Sequence, residues 1–192
     1  MRALWMLLLF VTAAAPAAER PLIEKGSEIR FRFSQMNVPA EGQFKHFSGR
    51  IDFDPAQPAA AKVALQVPIA SFDFSPEVDA EVVKPEWLDS ARFPEASFES
   101  KSVKALGGDR YEATGSFHLK GVSRDITVPF QYRPSTADGA EVTGQFEIRR
   151  ADYGVGGGEW GDFDVVANEV QIRFRFVLGP ALKSAASRKK NP

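Results

Sequence analysis

Apolar residues recur at every second position over most of the chain, and the run from Tyr111 to Tyr132 shows this most plainly. Tyr111, Ala113, Gly115, Phe117 and Leu119 alternate with Glu112, Thr114, Ser116, His118 and Lys120, which is the period of a strand with one buried face. Gly121 can take the backbone angles of a reversal, after which Ile126, Val128, Phe130 and Tyr132 alternate with Thr127, Pro129, Gln131 and Arg133. The pattern predicts a hairpin. Two strands cannot bury their apolar faces alone, so further strands must share the same interior.

The same period appears on both sides of this hairpin. Ile29, Phe31 and Phe33 form one strand; a turn is predicted near Pro39 to Gly42, and Phe47, Gly49, Ile51 and Phe53 form the next, stopped by Asp54-Pro55. An Ala/Pro-rich link, Ala56 to Ala61, leads into Val63, Leu65, Val67 and Ile69. The period then changes. Ser75-Pro76-Glu77 reads as a helix cap, a first-turn proline and a first-turn acid, with Val78 and Val82 one helical turn apart before Lys84-Pro85. Glu86 to Asp89 adds a further turn, and Phe93-Pro94 returns the chain to a strand with Ala96, Phe98, Ser100 and Val103. Gly107-Gly108-Asp109 turns it into the central hairpin. Val142, Gly144, Phe146 and Ile148 make the seventh strand, Tyr153 to Asp164 a Gly-rich loop whose Gly156 to Gly161 part should flex at a mouth, and Val170 to Leu178 the last strand.

Eight strands joined mostly by short links are antiparallel neighbours, and eight such strands commonly close into a barrel. The predicted fold is therefore all-β, an eight-stranded antiparallel barrel with a short helical insertion; a two-sheet sandwich is the alternative.

The first eighteen residues follow a different logic. Met1-Arg2, an apolar run from Ala3 to Ala15 and the small residues Ala15 to Ala18 have the layout of a secretory signal, with cleavage expected after Ala17 or Ala18. The run is shorter than the roughly 20 residues a spanning helix needs. The barrel domain is accordingly assigned to residues 19–180 and a basic tail carrying Arg188-Lys189-Lys190 to residues 181–192. With 24 basic and 25 acidic residues and the loss of Arg2, the exported chain would carry 23 against 25, a charge of −2 that predicts no nucleic-acid partner. Cysteine is absent, so an exported protein would fold without disulfides and without a lipidated N-terminal cysteine.

Candidate chemistry is sparse. The two histidines, His46 and His118, read as a rim residue and a polar-face residue, and an enzyme using either as base is an alternative function. Gly156, Gly158 and Gly161 match a dinucleotide-binding spacing, but they lead into a strand where that motif requires a helix. Asp79, Glu81, Glu86 and Asp89 lack metal-ligand spacing and suit a helix end facing water, so no metal or cofactor is predicted. The interior is the prominent feature. Nine of the 16 phenylalanines, Phe31, Phe33, Phe47, Phe53, Phe98, Phe117, Phe146, Phe174 and Phe176, fall on the inward parity of predicted strands. A small barrel is either filled by such side chains or encloses one ligand, and parity does not decide between these. Ten buried methylenes would contribute about 8 kcal/mol, on the order of micromolar affinity before costs, so a long apolar ligand needs no polar recognition motif.

The segments Trp87 to Ser100 and Tyr111 to Phe130, with Gly115, Phe117, Leu119, Gly121 and Val122 at a hairpin turn, resemble the signature of the YceI family. Phe146 to Gly154, FEIRRADYG, is similar to that family's arginine, acid, aromatic and glycine element, and Val170 to Val177 to its final strand. The resemblance implies a lipocalin-like barrel, export to the periplasm or beyond, and an isoprenoid or quinone-like lipid held inside. The ligand-binding residues it suggests, on the parity above, are Phe31, Phe33, Phe47, Phe53, Leu65, Val67, Phe98, Phe117, Leu119, Ile126, Val128, Phe146, Ile148, Phe174 and Phe176, with Trp87 and Phe93 closing one end. Residues Ser75 to Leu88 depart from the family's usual arginine-aspartate-histidine-like run. Together with the Gly-Gly-Gly-Glu-Trp loop they look closer to relatives associated with b561-type membrane cytochromes, so docking on such a cytochrome is an alternative role, and a homodimer is left open.

Overall fold

The computed structural model describes residues 19–135 and 138–182. The predicted signal with its cleavage point, and residues 183–192 with the basic triplet, lie outside the described residues. Ten strands are formed: β1 (Glu19–Gln35), β2 (Val38–Phe44), β3 (Ser48–Asp52), β4 (Lys62–Pro68), β5 (Phe72–Asp73), β6 (Glu95–Gly107), β7 (Arg110–Leu119), β8 (Val122–Pro134), β9 (Ala140–Arg149) and β10 (Glu169–Leu178), with helix α1 (Pro76–Val82) between β5 and β6. The sheet runs β1-β3-β4-β6-β7-β8-β9-β10, and β10 pairs back on β1, from Leu22 opposite Leu178 to Arg32 opposite Gln171. This is a closed eight-stranded antiparallel barrel.

Two strands are surplus to these eight: β5 is a two-residue pairing on β2, and β2 itself comes from a bend in β1. β1 is long enough to serve two neighbours, pairing by Glu19–Pro21 with β3 and by Ile29–Gln35 with β2. Gly26, at φ +88°, marks the irregularity in between, where Ser27 accepts from the Val177 amide at 2.8 Å. β2 and β3 are therefore two halves of one wall strand interrupted at residues 45–47.

The expected turn at Pro39 to Gly42 is not there. The reversal is made one step earlier by Met36 and Asn37, at φ 48° and 63°, and residues 39–42 pair in register with Ser34 to Phe31. Asn tolerates this conformation, so two residues suffice. Pro39 is accommodated because β2 meets β5 only at Gln43 and Phe44, leaving the proline's missing N–H on an open edge. Gly42 serves the packing. A Cβ on it would lie 2.3 Å from Phe31 Cζ, so the glycine is the space that the aromatic ring fills.

The remaining turns fall where the sequence puts them, at Gly107-Gly108 and at Lys120-Gly121, all with positive φ. Ser75 caps α1 by accepting from the Val78 amide at 3.4 Å, and Pro76 opens it. The barrel has a floor and a roof. The floor gathers Ile51, Phe53, Val103, Tyr111, Tyr132, Val142 and Leu178 into one buried cluster. The roof gathers Ile69, Val82, Leu88, Leu119, Ile148, Tyr153 and Val155 under α1 and the segments that follow β5 and β9.

Candidate functional site

Between floor and roof lies a cavity of about 320 Å³ whose lining is almost wholly apolar. It answers the filled-or-hollow alternative by height. At the floor, Phe53 lies 4.9 Å ring to ring from both Tyr111 and Tyr132, and Tyr111 stacks on Phe130 at 5.4 Å, leaving no space. Burial pushes the Tyr132 hydroxyl above its ordinary value. Higher up, rings still pair, Phe31 with Phe72 at 4.6 Å and Phe117 with Phe146 at 5.9 Å, but they border the open space.

Most of the expected interior residues line this cavity. They are Phe31 and Phe33 of β1, Phe53 just beyond β3, Leu65 and Val67 of β4, Phe98 of β6, Phe117 and Leu119 of β7, Val128 of β8, Phe146 and Ile148 of β9, Phe174 and Phe176 of β10, and Trp87 after α1. Three are placed elsewhere. Phe47 is buried against Phe176, ring centroids 5.7 Å apart, in the lower cluster. Phe93 covers the β7–β8 turn, where a Cβ on Gly121 would come within 2.6 Å of its ring. Ile126 stands opposite Gly115, and the Phe98 ring already fills the inward space over that glycine. Its strand also leaves β9 there, since the β8–β9 ladder covers only Phe130–Pro134, and Ile126 faces an outer cleft with Arg124, Glu147 and Tyr153.

The roof is built by polar bonds. Arg150, only 2 % exposed, follows β9 directly and donates five hydrogen bonds, every one to a backbone carbonyl. Nε reaches Ala167 at 3.0 Å, Nη1 reaches Val155 and Gly156 at 2.9 and 2.8 Å, and Nη2 reaches Trp160 and Val166, both at 2.7 Å. Five is the full donor complement of a guanidinium. Among the described residues no carboxylate pairs with it, and burial draws its pKa below the ordinary value. The Gly-rich loop, expected to flex, is instead wrapped around this cation. The glycines at 156 and 158, at φ 72° and 61°, permit the wrap, and a Cβ on Gly156 would strike Nη1.

The other half of the roof is held to the same loop. The Gly156 and Gly157 amides both donate to the Glu86 carbonyl, at 2.8 and 3.0 Å, and Lys120 Nζ donates to the Glu86 and Gly154 carbonyls. Desolvation lowers the Lys120 pKa. Trp87 is thereby framed, 5.5 Å from Trp160 and 5.6 Å from the Arg150 guanidinium. Val78, Glu81, Val82, Leu88, Val155, Trp160 and Val166 complete the roof side of the cavity.

Sequence reading missed these residues and Arg150 above all. Its partners are carbonyls, which carry no side-chain signature, so only its place in the FEIRRADYG element marked it. The histidines lie apart from the cavity. His46 is exposed and meets Glu24 at 2.9 Å, and His118 shares a 2.9 Å hydrogen bond with Ser123 on the outer face. The acids near α1 serve local structure: Asp79 accepts from the Phe74 amide at 2.9 Å, Glu81 pairs with Lys84, and Asp89 with Arg92 at 3.4 Å.

Comparison with known proteins places this geometry. The crystal structure of Burkholderia cenocepacia BcnA superposes with a TM-score of 0.78 at 36% identity, covering 81% of this chain and 98% of that one. A domain from Saccharophagus degradans, described as a polyisoprenoid binding domain implicated in plant cell wall breakdown, superposes at 0.67 over 85% and 99% of the two chains, and at 18% identity shares the fold. Protein YceI of Salmonella newport is 36% identical over 125 residues, which are 63% of this chain and 65% of that protein, a little under two thirds of its length. Residues 22–178 match the family model of the YceI-like domain, and with a barrel of this closure over nearly the same span, the chain belongs to the YceI-like family.

Proposed function

We propose that the protein is an exported carrier that holds the chain of a long apolar or amphiphilic molecule, of isoprenoid or quinone-tail type, in the barrel cavity. The observation that carries this reading is the cavity itself, one continuous apolar space between a packed floor and a roof closed by backbone hydrogen bonds. Rings on β1, β6, β7, β9 and β10 offer dispersion contacts to a chain without fixing its identity. The description of the Saccharophagus degradans domain as polyisoprenoid binding agrees with this ligand class. Export rests on the pattern of Met1 to Ala18, and the periplasm is its destination in this reading. Binding and release need no chemistry, and neither histidine reaches the cavity wall.

The test is mass spectrometry of an organic extract of the protein purified from its exported compartment without detergent. A stoichiometric isoprenoid or quinone is the expected result. An empty extract together with no uptake of added quinones would overturn the carrier reading. Phe117→Asp, which places a charge in the cavity wall, should abolish uptake in protein that still folds.

A second reading has its own support. Met36, Val38 and Phe163 are exposed large apolar residues on the turn and loop at the roof, at 67%, 63% and 48%. Such a rim suits docking on a membrane redox partner such as a b561-type cytochrome. Recovery of no specific membrane protein by the tagged chain would count against it.

A further inference from the structure

The cavity comes to the surface on one side of the roof. Of the residues that line it, Gln35 at the end of β1 is the exposed one. On α1, Val78 and Glu81 line the same space half-buried, and the Glu81 carboxylate reaches outward to the exposed Lys84. The mouth thus lies beside the β1–β2 turn and α1.

Exposed apolar side chains gather around it. Met36 follows Gln35, and Val38 stands opposite Gln35 in the β1–β2 ladder. Phe163 belongs to the loop whose Val165 carbonyl accepts from the Met36 amide at 2.9 Å and whose Val166 bridges to Gln35. Phe74 lies 5.7 Å ring to ring from Phe33 of the cavity wall. The other exposed large apolar residues among those described, Ile23, Leu106 and Leu182, belong to the floor end.

The chemistry of this rim selects its partner. At about 200 Å² for a fully exposed large apolar side chain, these four partly exposed ones offer on the order of 400 Å². That is half of the roughly 800 Å² that one partner contributes to a stable protein interface. Tips on three separate segments need no matching surface if they enter a fluid one. Asp162 and Asp164 flank Phe163, Asp79 accepts from the Phe74 amide, and Lys45 and Lys84 are already paired with Asp73 and Glu81, so an anionic surface is turned away. A cargo chain leaving a bilayer through water is disfavoured about fourfold per methylene, on the order of a millionfold for ten. A mouth pressed into the bilayer avoids that step.

We propose that the mouth between Gln35 and α1 docks directly on a zwitterionic lipid bilayer, with Met36, Val38, Phe74 and Phe163 entering its interface, so that the cargo chain passes between bilayer and cavity without crossing water. This rests on the carrier reading and adds the route of loading and the surface that supplies it.

The test floats the full chain with vesicles of phosphatidylcholine and phosphatidylethanolamine, which carry no net charge to attract the basic tail. Uptake of a decyl-benzoquinone, from these vesicles and from aqueous dispersion, is read by quenching of tryptophan emission. The unsubstituted chain should float and draw the quinone from the vesicles. Met36→Gln combined with Val38→Thr, both at exposed positions, should lower flotation and uptake from vesicles about tenfold, as two side chains are kept from apolar surroundings, and leave uptake from water unchanged. Leu106→Gln at the floor end should behave as the unsubstituted chain does. A chain that takes the quinone from water but does not float would overturn the docking, keep the carrier reading and leave the rim to a protein partner. A double variant that floats and loads as well as its parent would also overturn the docking. Uptake from neither source would overturn the carrier reading and this route with it.

Discussion

At the floor of the barrel, Phe53, Tyr111, Phe130 and Tyr132 meet ring against ring, and burial of apolar surface closes the end. At the roof, closure depends on polar bonds, chiefly the Arg150 cation and the five carbonyls around it, with Lys120 and two loop amides tying in the Glu86 carbonyl. The difference is one of reversibility and shape. Ring packing is non-directional and fills whatever volume it is given, so the floor leaves no room. Hydrogen bonds to Arg150 fix loop backbone at set distances without needing the space beneath to be filled. A barrel closed by both means at opposite ends keeps its hollow next to the polar end.

Substitutions should separate the two. Arg150→Met is expected to cost most, about 4 kcal/mol in urea unfolding, because five carbonyls, three of them in fully buried bonds, lose their donor together and each buried unsatisfied group is worth roughly 1–3 kcal/mol before rehydration. It should also disturb emission from Trp87 and Trp160, which both sit at the roof. A loss below 1 kcal/mol would mean that the loop holds without its cation. Phe53→Ala should cost about 3–4 kcal/mol, since it opens a void in a packed cluster. Phe98→Ala removes a ring that already borders open space on one side, so about 2 kcal/mol is expected, with a larger cavity and altered preference for chain length. Equal losses for Phe53→Ala and Phe98→Ala would erase the distinction between floor and wall.

The smallest expected effect concerns neither end. Hydrogen bonds from Arg30, with Arg173 beside it, hold the Glu41 carboxyl below its ordinary value on the outer wall. A depressed carboxylate pKa adds stability that is present above the unfolded-state value and is lost as pH falls through the folded-state value. Melting temperature should therefore decline shallowly below roughly pH 4. In Glu41→Gln that share of the slope should vanish. An unchanged slope would show that the exposed pair contributes nothing, as solvent screening often ensures.

How much of this was legible in the chain varies from residue to residue. The inward parity of Phe31, Phe98, Phe117, Phe146 and Phe174 was plain because a strand's side-chain period is a backbone property. Ser75 and Pro76 announced α1 through local capping chemistry. Pro39 and Gly42 misled, because both residue types favour turns and only the open edge of β2 and the ring of Phe31 explain them as strand residues. Ile126 misled in another way: parity says which face a residue is on, but not whether the neighbouring strand is still there.

By itself, then, the sequence determined most of the strands, the helix, their antiparallel barrel and an oily interior, all consequences of short-range periodicity. It did not determine where that interior stays empty. That depends on Phe53 meeting Tyr111 and Tyr132 across the barrel and on Arg150 collecting carbonyls from residues up to 17 positions away. Those are relations between segments distant in the chain or between a side chain and backbone. No pattern of residue types records them, because every peptide unit offers the same carbonyl.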